Sequence, residues 1–162
     1  MRSPLPLIAA VLLPLAAPAA AAARPVPYWA TLANNQALMR SGPGRNFPAL
    51  WLYRRQGLPV KVVKTYTINH AEWRQVQDPD GALGWMQANL LSEKRGAIVV
   101  GAVRPLRARA GDDAPVLWRA APGVVGRVSE CAGGWCLLDV AGKRGYLRTD
   151  GLWGVTADER VP

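Results

Sequence analysis

The sequence predicts an all-β chain of two small barrels in tandem, set behind a cleaved export leader. Three observations carry that reading. Residues 39–91 and 106–152 are two copies of one pattern. Short apolar runs are separated throughout by turn-forming residues. Nowhere do apolar residues recur at helical spacing over a long window, so at most a single turn of tight helix is expected, near Gln87-Ala88-Asn89 and Arg148-Thr149-Asp150.

The repeat is legible residue by residue. Met39-Arg40-Ser41-Gly42-Pro43-Gly44 answers to Leu106-Arg107-Ala108-Arg109-Ala110-Gly111, and Pro48-Ala49-Leu50-Trp51 to Pro115-Val116-Leu117-Trp118, all at one offset of 67. Further on, Trp73, Gly84, Trp85 and Leu91 answer to Trp135, Gly145, Tyr146 and Leu152, with the offset reduced to near 61 by shorter loops in the second copy. Length changes confined to turns are what a duplicated fold tolerates. The matched residues are turn formers and large apolar anchors. Neither copy repeats a nucleophile, an acid–base pair or a metal ligand set, so what was duplicated is a scaffold.

The first residues read as an address. Arg2 is followed by the apolar run Leu5–Ala17 and then by the small residues Ala19–Ala23, the pattern of a secretory signal peptide cut near Ala23. The run is shorter than the ~20 apolar residues of a membrane helix, and no later stretch approaches that length. Periplasmic or secreted location is therefore expected. No lipobox cysteine stands near the cut. Removing residues 1–23 takes one positive charge, Arg2, from the formal +9 and leaves +8. That charge is uneven. Residues 24–95 hold ten Lys and Arg against four acids, and residues 96–162 hold nine against seven.

The elements follow in order. Arg24-Pro25-Val26-Pro27 is an extended leader. Tyr28–Leu32 and Ala37–Arg40 read as strands around Asn34-Asn35. Leu58–Thr67 alternates Val60 and Val62 with Lys61 and Lys64, one face buried and one wet. Trp73–Val76, the turn Asp78-Pro79-Asp80-Gly81 and Gly84–Met86 complete the first copy. The second repeats this with Val124–Glu130, Trp135–Val140, a turn at Ala141-Gly142-Lys143, and Gly145–Arg148. Ser92–Gly101 joins the copies as a linker or a joining strand. The expected division is 1–23 leader, 24–95 first domain, 96–101 junction and 102–162 second domain. Two such small units are individually marginal and are expected to lean on each other or on staples. Cys131 and Cys136 flank Ala132-Gly133-Gly134-Trp135, where a hairpin would bring them face to face. Export puts them where disulfides persist, so a bridge is expected over free thiols. Two sulfurs and the lone His70 fall short of a metal ligand set.

Five or so short strands per unit, with long early loops and tight late ones, indicate a small barrel rather than a sandwich. Met39-Arg40-Ser41-Gly42-Pro43-Gly44, Glu72-Trp73-Arg74-Gln75-Val76, Asp78-Pro79-Asp80-Gly81 and Gly84-Trp85-Met86-Gln87-Ala88-Asn89-Leu90-Leu91 resemble the signature of bacterial SH3-like domains, in particular the exported tandem type. The resemblance implies two SH3-like β-barrels and a peptide groove on the first, between Arg45–Gln56 and Tyr66–Glu72. In that groove Trp73 would be the floor, Tyr53, Phe47 and Asn89 the walls, and Arg45, Arg54 and Arg55 the rim. The second copy has Arg107-Ala108-Arg109-Ala110-Gly111 in place of the first copy's early turn, so the same contacts are not expected there.

The chemistry present is surface chemistry. A hydrolase needs a base beside a nucleophile, and the chain has one histidine and no Gly-x-Ser-x-Gly elbow. Asp78 and Asp80 belong first to a turn. No Gly-rich phosphate loop or other cofactor motif occurs. No catalysis, cofactor or metal is expected. Trp51, Trp85 and Trp118 sit in strand context and are expected in the core, Trp73 is open to either core or groove, and an Arg-Arg pair such as Arg54-Arg55 is more often a solvated loop tip than a ligand clamp. Arginines over an aromatic surface suit an extended peptide with free carboxylates, such as a peptidoglycan stem. The alternative is an adaptor that binds a proline-rich or extended segment of another exported protein. Nucleic acid is not expected as a partner outside the cytoplasm, and no oligomer signal is visible, so a monomer is expected.

Overall fold

The computed structural model describes residues 24–161. The leader expected over residues 1–23 lies outside the described residues. The described residues form two seven-stranded antiparallel sheets. The first comprises β1 (Tyr28–Leu32), β2 (Ala37–Arg40), β3 (Ala49–Tyr53), β4 (Pro59–Ile68), β5 (Ala71–Gln77), β6 (Leu83–Gln87) and β7 (Leu91–Ser92). The second comprises β8 (Gly96–Val99), β9 (Arg104–Arg107), β10 (Val116–Ala120), β11 (Val125–Ala132), β12 (Trp135–Val140), β13 (Lys143–Arg148) and β14 (Leu152–Trp153). Strand order is β3-β2-β6-β5-β4-β1-β7 in one sheet and β10-β9-β13-β12-β11-β8-β14 in the other, the same path taken twice. Short 3-10 turns at Ala88–Leu90 and Thr149–Gly151 precede the last strand of each sheet. Among the described residues no helix is long and apolar enough to cross a membrane.

Alternation builds each barrel. Val60 and Val62 of β4 are buried while Lys61 between them is partly exposed, and they meet Leu32, Met39, Val76 and Met86 in the first core. Val99, Leu106, Leu138 and Leu147 form the second core together with Cys131 and Cys136. Each such side chain taken from water contributes about 1.5–3 kcal/mol. The cysteines pair directly across the β11–β12 hairpin and are joined in a disulfide.

Two-residue turns close corresponding hairpins. Gly133 and Gly134, at φ 56° and 80°, turn β11 into β12, and Asn69 and His70, at φ 47° and 62°, turn β4 into β5. Both residues of such a turn lie in the left-handed region, where a side chain is strained and glycine is not. His70 is thus held in a glycine conformation. His70→Gly is expected to stabilise the protein by roughly 0.5–1 kcal/mol and raise the thermal midpoint by about 2 °C. A lower midpoint in a circular dichroism melt would contradict this account of the turn.

The structure sharpens the sequence expectation at two places and departs from it at a third. Gly96–Val99, which reads as linker or joining strand, is the first strand of the second sheet and the counterpart of β1. Ala49–Tyr53, which holds Trp51, read in strand context, and lies in the Arg45–Gln56 segment that the resemblance sets beside a groove, is a strand. Trp51 and Trp118, expected in the core, are 58% and 44% exposed. The reason is position. β3 and β10 are outer strands, paired on one side only, and each stands out as the free arm of a hairpin. An apolar run reads alike whether a second layer covers it or not. Trp85 is partly buried, with its ring edge-on to Tyr66.

The barrels are joined by packing. Trp29 of β1 and Trp153 of β14 meet edge to face at 4.7 Å between ring centroids. Ile98 and Val125 of the second sheet pack against the first core. Thr31 Oγ1 donates to Lys94 O at 2.8 Å. A side chain at Gly96 would meet Gly57 O at 2.8 Å, so the backbones approach closely there.

Candidate functional site

The residues read from the sequence as one groove fall into two groups. Arg45, Phe47, Arg54 and Arg55 surround β3, while Trp73 and Asn89 lie across the sheet at the far end of β5 and on the 3-10 turn. Tyr53 belongs with neither.

The turn between β2 and β3 is built by Phe47. Its ring lies against Gly42, where any side chain would collide with it, and close to Gly44, where a side chain would meet Asn46 Oδ1 first. Arg40 Nη1 donates to Phe47 O at 2.8 Å, and Ser41 N–H donates to Pro48 O at 3.0 Å. The glycines of this turn therefore serve close approach. The ring stays 40% exposed. Arg45 projects from the same turn, and Arg54 and Arg55 from the turn that leads into β4. Among the described residues none of these three arginines forms an ion pair. Between them β3 exposes Leu50, Trp51 and Leu52.

Tyr53 turns inward. Its hydroxyl donates to Asp78 Oδ2 at 2.7 Å, and Asp78 Oδ1 accepts the N–H groups of Asp80 (3.0 Å) and Ala82 (2.8 Å). Burial first, then the bond to Asp78 and the charges of Asp78 and Asp80, push the Tyr53 hydroxyl well above the usual tyrosine range. Tyr53 thus closes the Asp78–Gly81 turn. Trp73 is 3% exposed and is paired with Tyr66 of β4 on one side and Gln87 of β6 on the other. The floor role read for Trp73 needs an exposed ring, and on this barrel the exposed rings are those of Trp51, Tyr66 and Phe47. Asn89 is exposed beside a shallow hollow lined also by Glu72, Gln87 and Ala88.

What this arrangement offers is an open strand edge with apolar side chains and unpaired guanidinium groups at both ends. An extended chain can pair with such an edge, and a carboxylate can take two parallel hydrogen bonds from one arginine. Sequence reasoning missed Trp51 as a surface residue. Its one signal was the repetition of Leu50-Trp51 as Leu117-Trp118. It also missed a cleft of about 490 Å³ at the junction of the barrels, lined by Gln56, Lys94, Arg95 and Arg127 among others. Both copies contribute to that cleft, so no local pattern marks it.

A family model described as a bacterial SH3 domain matches residues 33–93 and again residues 100–154. No curated protein matches the chain. Among solved structures, the chain is similar to NlpC2 from Trichomonas vaginalis at 11% identity and a TM-score of 0.31, covering 81% of this chain and 49% of that one. It is similar to NlpC1 from the same organism at 11% identity and a TM-score of 0.31, covering 82% and 47%. The chain thus spans about half the length of each.

Proposed function

The chain belongs to the bacterial SH3 domain family, and from that premise we propose that it is an exported, non-catalytic binding module that recognises cell-wall peptides through the basic, aromatic surface of its first barrel. Domains of this family are generally binding modules without catalysis. The observation that carries the reading is the set of unpaired arginines, Arg45, Arg54 and Arg55, around the exposed Trp51 and Phe47. Peptidoglycan stem peptides are extended and bear free carboxylates, which suits both kinds of group. The signal-like residues 1–23 and the Cys131–Cys136 disulfide support export to the periplasm or beyond.

The test is co-sedimentation of the purified protein with isolated sacculi. The wild type is expected to pellet, less so as salt is raised. Trp51→Ala, and Arg54→Ala with Arg55→Ala, are expected to weaken pelleting about tenfold while remaining folded, through loss of aromatic contact and of charge-assisted hydrogen bonds. A wild type that stays in the supernatant would overturn the reading. The open edge of β3 favours a second reading, an adaptor that takes an extended segment of another exported protein, and crosslinking in the cell envelope would then find that partner.

A further inference from the structure

We propose that the second barrel carries a carboxylate-binding pocket of its own over Trp135, and that the protein's own Asp112 fills the carboxylate position until a ligand displaces it. The pocket measures about 160 Å³. Arg104, Arg107 and Arg148 line it, against Asp112 and Asp150. The Arg148 guanidinium lies 5.3 Å from the centroid of the Trp135 ring, and its Nη1 donates to Asp112 Oδ2 at 2.5 Å. Asp112 therefore does to Arg148 what a ligand carboxylate would do. Arg107 Nη1 is committed to Ala114 O at 2.7 Å. Arg104 Nε is buried and, among the described residues, has no hydrogen-bond partner.

Asp112 is held loosely. The side chains of Arg148 and Asp112 are 53% and 69% exposed, and ion pairs at such exposure contribute little. An incoming carboxylate exchanges one weak pair for another and adds contact with Trp135. The pocket's size suits a chain terminus with a small side chain. The first barrel lacks this device. Gln87 stands where Arg148 stands, across from the matching tryptophan, and Arg45 stands where Asp112 stands. The two copies thus bind by different means. The inference shares the carboxylate chemistry of the proposed function but uses other residues on the other barrel, so each can fail alone.

The experiment follows the Trp135 indole N–H by nuclear magnetic resonance in the purified protein while acetyl-Ala-Ala is added, as the free acid and as the C-terminal amide. The acid is expected to shift the Trp135 signal in the wild type, and to do so with up to about fivefold tighter affinity in Asp112→Ala, where the internal competitor is gone. Arg148→Ala and the amide probe are expected to give no shift. Absence of any shift with the acid, an equal shift with the amide, or weaker binding by Asp112→Ala would overturn the proposal. Sacculus binding without a Trp135 response would overturn this inference alone. A Trp135 response without sacculus binding would overturn only the wall-binding reading.

Discussion

Glu159→Ala is expected to cost about 3–5 kcal/mol of folding stability, the cost of leaving a buried charge without its partner. Arg95 lies in the segment between the two sheets, and Glu159 lies beyond the last strand. Glu159 Oε1 takes a short bond from Arg95 Nη1, and Oε2 accepts from Arg95 Nη2 at 3.0 Å and from Thr156 N–H at 3.0 Å. Arg95 Nη2 also donates to Gly154 O at 2.9 Å. The two side chains are 16% and 14% exposed, so solvent screens the pair weakly. Its geometry is two-pronged, the strong form of arginine–carboxylate pairing. The terminal segment that carries Glu159 is held by Val161, which exchanges backbone hydrogen bonds with Cys131 at 3.0 and 3.1 Å. Without the carboxylate, the guanidinium keeps one carbonyl and stays buried, and its Nε has no partner among the described residues to begin with. Urea unfolding measures the loss, and Glu159→Gln, which retains one acceptor, should fall between the two. A Glu159→Ala protein within about 1 kcal/mol of the wild type would show that the junction does not depend on this pair.

Asp78→Ala is expected to cost about 2–4 kcal/mol, because three hydrogen bonds end on one buried carboxylate. Asp78 is 6% exposed. Its loss opens the β5–β6 turn by freeing the N–H groups of Asp80 and Ala82, and it strands the Tyr53 hydroxyl against the first core. Tyr53 adds a pH dependence whose sign follows from its raised pKa. The folded state holds the phenolic proton more tightly than the unfolded chain does. The contribution is therefore fully present below the unfolded tyrosine pKa of ~10, and it is lost as pH rises from there toward the folded value. Urea midpoints measured at pH 8, 10 and 11 should fall with pH in the wild type, and more gently in Tyr53→Phe. Equal slopes would mean that the hydroxyl is not shielded as its bond to Asp78 indicates.

Local sequence suffices at other sites. Alternation at Val60, Lys61 and Val62, the turn chemistry of Asp78-Pro79-Asp80-Gly81, and the two cysteines around Gly133-Gly134 each act over a few residues. Strand, turn and disulfide were legible there for that reason. The duplication was legible too, because a repeated fold repeats its anchors, and the two sheets follow the same strand order. The proposed surface was legible only in part. Arg45, Phe47, Arg54 and Arg55 lie around β3 in exposed turns, whose residues face solvent whatever the rest of the chain does.

By itself, the sequence determined an all-β chain of two like barrels with a hairpin disulfide, since period-two patterning and turn residues are local properties. Only the tertiary structure decided that Trp73 is covered and Trp51 is not, that Tyr53 serves Asp78, that Trp29 meets Trp153 across the junction, and that Asp112 sits on Arg148 over Trp135. The physical reason is the same in each case: burial and pairing depend on which distant strand arrives beside a residue, and side-chain pattern along one strand carries no record of that arrival.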